Sequence, residues 1–197
     1  MSTVAVYPQS SRRTADGGSF VRALRVVALV VLGVSVGKLV GGPMVARIVV
    51  SKSQGVLTAY GSDGRILATF PAIVGRQALG TKVREGDERT PEGEYYVCFK
   101  NPRSRFHLSL GLSYPNTDDA ERGLRDGSIT PVEYREIVEA HGAQRVPPWK
   151  TALGGEIFIH GGMEGRGGTA GCVAISDPAM EELFPQVALG TPVVIEP

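Results

Sequence analysis

The chain has 197 residues, with 21 Lys and Arg against 20 Asp and Glu, a net charge of +1, and 26 Gly and 13 Pro. That length allows one domain with its own core plus an accessory segment. Near neutrality leaves no electrostatic footprint for nucleic acid, and Gly and Pro spread along the chain favour turns and short strands over a helical bundle.

Residues 1–19 are polar and contain Gly and Ser, the composition of a disordered tail. Residues 20–43 read differently. Arg12, Arg13, Arg22 and Arg25 precede an apolar run from Val26 to Val36, Lys38 interrupts it, and Gly41-Gly42-Pro43 closes the segment. Basic residues followed by an apolar run without amphipathic period is the layout of a signal peptide or a membrane anchor. Ser35-Val36-Gly37 offers a weak small-residue cleavage site, and a tilted span from Val26 to Val45 with Lys38 snorkelling is the alternative. Positive charge ahead of the run keeps that end in the cytoplasm, so the domain behind it is expected on the outer side of the membrane.

The globular domain is expected over 44–197. Ala46 to Val50, Val56 to Tyr60 after Gln54-Gly55, and Ile66 to Phe70 after Ser62-Asp63-Gly64 read as strands joined by hairpin turns. Ala72 to Val74 extends the third. Residues 75–94 are polar and turn-rich, and Tyr95 to Lys100 and Phe106 to Leu110 are further strands. Alternation in the latter predicts His107 and Ser109 on one face, opposite Phe106, Leu108 and Leu110.

Residues 115–150 form a helical insertion. Thr130-Pro131-Val132-Glu133 is a helix start with a capping box, Tyr134, Ile137 and Val138 fall at helical spacing, and Gly142 marks the stop. A shorter helix is expected around Asp118 to Leu124. Pro147-Pro148 returns the chain to a strand, Glu156 to His160, and a glycine-rich loop over 161–171 leads to Cys172 to Ile175. Pro178 to Phe184 reads as a short helix capped by Asp177, and Pro192 to Ile195 as the last strand.

His160 and Cys172, twelve residues apart, end one apolar run and begin the next, and small residues surround both. A cysteine becomes a nucleophile near neutral pH only with a base or positive field beside it, and His160 can be that base. Glycines let backbone N–H groups approach a reacting carbonyl, so Gly171, or Cys172 itself, is the expected oxyanion donor. The other cysteine, Cys98, sits in the strand Tyr95-Tyr96-Val97-Cys98-Phe99 and reads as a packed apolar side chain. A Cys98–Cys172 disulfide, the alternative in an exported protein, would remove the nucleophile. The three His show no ligand spacing with carboxylates and no Lys-Ser/Thr follows the glycines, so neither a metal, a phosphate loop nor a cofactor is expected.

Several elements in order resemble the YkuD-type L,D-transpeptidase catalytic domain. They are the opening strands around Lys52 and Leu57, the segment Gly80 to Gly93 ending Arg89-Thr90-Pro91-Glu92-Gly93, and Phe106-His107-Leu108-Ser109-Leu110. Ser113-Tyr114-Pro115-Asn116, His160-Gly161 and Thr169-Ala170-Gly171-Cys172 complete the set. The resemblance implies a mainly β domain, a sandwich or curved mixed sheet with peripheral helices, acting on bacterial peptidoglycan. It implies Cys172 as nucleophile, His160 as base and the Gly161 backbone as its orienter. The stem peptide would form a thioester on Cys172 and pass to an amine, giving a crosslink, or to water, as in a carboxypeptidase or amidase. Thr169, His107, Tyr114 and Arg89 are the expected substrate contacts, Arg89 through a stem-peptide carboxylate. Ala170 stands where many members carry His and Ala174 where many carry Arg or Asn. The chain is more similar to a subgroup reading Thr-x-Gly-Cys-Ile/Val-Ala. A wall-binding module without activity is the non-enzymatic alternative; it predicts no thiol reactivity. The expected partners are peptidoglycan stem peptides and, through residues 20–43, the membrane.

Overall fold

The computed structural model describes residues 44–165 and 167–197. The tail and the basic-plus-apolar segment anticipated over 1–19 and 20–43 lie outside them. Among the described residues no helix is long and apolar enough to cross a membrane.

Strand alternation builds the first half of the sheet. Strands β1 (Arg47–Ser51), β2 (Val56–Tyr60) and β3 (Ile66–Pro71) form an antiparallel meander, and the last strand, β8 (Pro192–Glu196), returns to lie parallel to β1. The register stacks the apolar positions: Ile48 opposite Ala59 and Val193, Val50 opposite Leu57 and Ile195. All six are buried. Each large aliphatic among them contributes about 1.5–3 kcal/mol over an exposed position.

β4 (Gly93–Ser104) joins the two halves. Its first residues pair with β8 and its remainder with β5 (His107–Leu112), with register breaks at Val97/Phe99 and Asn101/Ser104. Such irregularities bend a strand and re-aim its side chains. Beyond β5 come β6 (Phe158–His160) and, parallel to it, β7 (Val173–Ala174), giving the order β3-β2-β1-β8-β4-β5-β6-β7. The far edges then meet. Ile73 and Ala174 exchange backbone hydrogen bonds of 2.8 Å, and Thr169 bonds to Val74 and Arg76. The expected mainly β fold, a mixed sheet with peripheral helices, is what the chain adopts.

Helices α1 (Thr117–Arg125) and α2 (Pro131–Gly142) lie between β5 and β6 and bury Ala120, Ile129, Ile137 and Leu153 in a small core of their own. Both carry capping boxes, Asn116 with Asp119 and Thr130 with Glu133. α3 (Asp177–Leu183) follows β7. Its cap is Ser176, whose hydroxyl accepts the Ala179 N–H, so the expected capping role of Asp177 is corrected by one residue. Pro178 occupies the first turn, where its missing N–H costs no bond, and that sets the frame.

The loop before β4 is held by buried lysines. Lys52 Nζ reaches Glu92 Oε1 at 2.6 Å and the Gly80 carbonyl at 2.7 Å; Lys82 Nζ reaches Asp87 Oδ1 at 3.0 Å. Burial raises the Asp87 carboxyl, but hydrogen bonds from the Val83, Arg84 and Arg89 N–H groups and from Lys82 outweigh it and hold the group below 3.8.

Candidate active site

β6 and β7 place His160 and, at the residue before β7, Cys172 on neighbouring strands. The parallel register pairs Ile159 with Val173 and His160 with Ala174. One residue earlier, Cys172 stands beside Phe158, whose N–H points at Sγ from 3.4 Å. Side chains two apart along a strand share a face, so Cys172 and His160 project to the same side of adjacent strands, on a diagonal. On the other face Ile159, Val173 and Leu110 fill the core. The core therefore fixes the register that aligns the pair.

Cys172 Sγ lies 3.6 Å from the Glu156 carbonyl. The residue keeps some exposed surface although heavy atoms crowd its sulfur. Burial pushes its thiol up from 9.0, opposed by the Phe158 N–H, Lys82 and Arg105, and reinforced by Glu156. The resting group is accordingly a thiol, and attack requires a base. His160 is buried, and its Nδ1 lies 2.6 Å from the Gly161 carbonyl. That contact assigns the proton to Nδ1 and leaves Nε2 as the basic nitrogen. The Gly161 carbonyl is thus the partner of the imidazole Nδ1.

The turn before Cys172 is tightly held. Thr169 is buried; its hydroxyl donates to the Cys172 carbonyl at 2.6 Å and accepts the Gly171 N–H at 3.0 Å. Because the hydroxyl occupies the Gly171 N–H, Gly171 is not the oxyanion donor anticipated; its φ of 133° and the close Arg89 carbonyl explain why a glycine stands there. Thr169 itself braces the turn.

The other anticipated contacts are dispersed. Tyr114 is fully buried and its hydroxyl donates to the Leu153 carbonyl at 3.0 Å, so it has no surface for a ligand; here the expectation is corrected. Arg89 lays its guanidinium against Gly80, and its backbone N–H caps Asp87. His107 turns outward, Nε2 3.0 Å from Glu181 Oε1. Its φ of 72° breaks the alternation predicted for this stretch: Ser109 is buried opposite His160, and Phe106 folds back from the β4–β5 turn to stack on the His160 ring, centroids 4.5 Å apart. A period of two puts Phe106 on the wrong face because it assumes unbroken strand geometry. His141 links α2 to the turn after β5, Nε2 2.7 Å from the Ser113 carbonyl. Cys98 is a free thiol, as is Cys172, and burial pushes it up to about 11.

A cleft of about 1,250 Å3 runs from the Cys172 turn to α2. Glu85, Glu136, Trp149, Thr151, Glu156 and Ala170 are among its lining residues. Glu156 is exposed and adopts a left-handed backbone, φ 53°, unusual for a side chain of its kind. Among the described residues, the buried Trp149 Nε1 and Thr151 Oγ1 find no hydrogen-bond partner. Trp149 also meets Phe158 and Phe99 edge-on, which ties the cleft wall to the strand carrying His160. The only hint of this wall in the sequence is the Pro147-Pro148 punctuation.

A mixed sheet that sets a cysteine and an oriented histidine on one face of neighbouring strands, beside a turn that borders an open cleft, suits a cysteine acyl-transfer domain. The L,D-transpeptidase catalytic domain family, YkuD, matches residues 45–195, and the chain belongs to that family. Among solved structures it is similar to the helical cell shape determining protein Pgp2 from Campylobacter jejuni, with 26% identity over 78% of this chain and 48% of that one and a TM-score of 0.55. Bd1075 from Bdellovibrio bacteriovorus shares the fold at 22% identity and a TM-score of 0.51, covering 77% of this chain and 48% of that one. The chain spans about half the length of these structures. Among curated proteins there is no match.

Proposed function

We propose that the protein is a peptidoglycan L,D-transpeptidase that forms a Cys172 thioester with a stem tetrapeptide and transfers the acyl group to an amine. The observation that carries this reading is the shared face of Cys172 and His160 on neighbouring strands, with the cleft reaching the Cys172 turn at Ala170. His160 Nε2 takes the thiol proton, and the thiolate adds to the carbonyl of the stem's third residue. The Cys172 N–H stabilises the oxyanion, and the protonated His160 returns the proton to the departing D-residue's amine. The acceptor ammonium sheds one proton to solvent, and the neutral amine adds to the thioester carbonyl while His160 takes its second proton. The new amide forms as the C–S bond breaks, and the leaving Cys172 thiolate regains a proton from His160.

Glu85, Glu136 and Glu156 favour an amine over water as acceptor, because a primary amine arrives as a cation and carboxylates concentrate it beside the thioester. Cleft carboxylates matter more here than Glu133, whose carboxylate is occupied by its helix cap. The site would face the outside of the membrane, where peptidoglycan lies. A reporter active only after export, fused behind Pro197, tests that; activity only in the cytoplasm excludes the wall substrate.

Incubation with a disaccharide tetrapeptide, with products read by mass, tests the reaction. Crosslinked dimer is the expected product, and Glu156→Gln should shift the ratio toward hydrolysed tripeptide. Tripeptide alone from the native protein would identify a carboxypeptidase with the same nucleophile. A product set unaltered by Cys172→Ala would remove the assignment.

A further inference from the structure

The carboxylate of Asp177 takes no direct part in the acyl transfer, and the cap of α3 does not use it, since Ser176 supplies that bond. It reaches instead across to the turn after β6, where Oδ1 accepts the Gly162 N–H at 2.6 Å. That N–H belongs to the same peptide unit as the Gly161 carbonyl, and this carbonyl accepts from His160 Nδ1, also at 2.6 Å. One rigid amide therefore stands between a carboxylate and the imidazole, hydrogen-bonded to each through opposite ends. We propose that Asp177 is a positioning residue that completes a Cys172–His160–Asp177 relay through the Gly161–Gly162 peptide bond, holding the imidazole in place and raising its basicity.

Both physical effects arise from the geometry. A carboxylate on the N–H end polarises the amide and enriches its oxygen, which strengthens the bond that oxygen accepts from His160. The negative charge also favours the imidazolium that forms when Cys172 gives up its proton. Orientation comes from the same contacts, because a planar amide held at both ends cannot rotate. The two glycines are the structural condition for it. A Cβ on Gly161 would collide with Asp177 Oδ1 and crowd the Phe106 carbonyl, and Gly162 sits at φ 72°. Other charged groups among the described residues are disposed differently. Lys82, Arg105 and Glu156 act on the thiol, while Glu181 of the same helix is engaged by His107.

This inference rests on the Cys–His reading, and the test separates the two. The full chain would be followed by iodoacetamide alkylation of Cys172 across the neutral pH range, in a Cys98→Ala background, with no peptidoglycan needed. Asp177→Asn keeps an acceptor for Gly162 and removes the charge; Asp177→Ala removes both. Alkylation at neutral pH should slow about tenfold in Asp177→Ala and about threefold in Asp177→Asn, the scale of losing an outer partner of a functional histidine. The midpoint of the profile should move to higher pH in both. In a His160→Ala background, Asp177→Asn should change nothing more, since its effect passes through the imidazole. Wild-type profiles in both Asp177 variants, beside a slowed His160→Ala, would overturn the relay and leave the Cys–His pair standing. So would an Asp177→Asn effect undiminished without His160. A His160→Ala protein that alkylates like the native one would overturn the pair and the relay together.

Discussion

The two halves of the sheet obey local rules to different degrees. In β1, β2 and β8 every buried position is an alternate one, and the register stacks aliphatic on aliphatic. In the β5–β6–β7 half the rules fail one after another. His107 has a left-handed backbone, Glu156 another, Gly171 a third, and a histidine is buried where the other half buries an isoleucine. Departures of this kind persist only where the surroundings over-determine them, and they collect at functional sites. Both halves share one core, and the irregular half in addition holds Cys172 and His160 on neighbouring strands.

This division can be broken from either side. The largest effect should come from Cys172→Ala, which is expected to abolish turnover of muropeptides while leaving the thermal midpoint nearly unchanged. Cys98→Ala should keep most of the turnover, its thiol being half-buried and pushed up to about 11. Retained turnover in the Cys172 variant would end the account of the irregular half. In the regular half the reverse is expected: Leu57→Ala should cost about 2–5 kcal/mol in denaturant unfolding, the range for a fully buried leucine. At temperatures where it stays folded, its alkylation rate at Cys172 should match the native protein. A selective loss of thiol reactivity without loss of stability would show that the halves are not separable in this way.

A smaller effect is expected at Asp87, in the loop that abuts the Cys172 turn through Arg89. Its carboxyl is held below 3.8 in the folded protein, so its contribution is fully present above that value and is lost as pH falls through the lower folded value. Asp87→Ala should therefore cost about 1–3 kcal/mol near neutrality, a charged hydrogen-bond hub's worth, and the deficit should narrow in acid. A deficit independent of pH in thermal unfolding would show that the carboxylate's charge is not what holds the loop.

Legibility in the sequence runs along the same division. Strands that alternate or carry turn signals, and the helix with Thr130 ahead of Glu133, are readable because their causes are local. The His160 and Cys172 candidates are readable because small residues crowd around both. Tyr114 misleads because Ser113-Tyr114-Pro115-Asn116 says nothing of depth; the tyrosine hydroxyl finds its carbonyl 39 residues on. Phe106 over His160 depends on one backbone angle at His107, and the Asp177 contact on a frame one residue from the cap. Neither has a periodic signature. The aromatic cluster behind the cleft, in which Phe99 and Phe158 pack on the lining Trp149, joins three segments that only the fold brings together.

The central claim is that Cys172 is an acyl-accepting nucleophile. A β-lactam imitates the acyl donor of this family, so intact-protein mass after incubation with a carbapenem tests the claim most directly. The account predicts a mass increase of a single drug equivalent, mapped to Cys172 and absent from Cys172→Ala. Adduct on Cys98, or none from a preparation that turns over muropeptides, would contradict it.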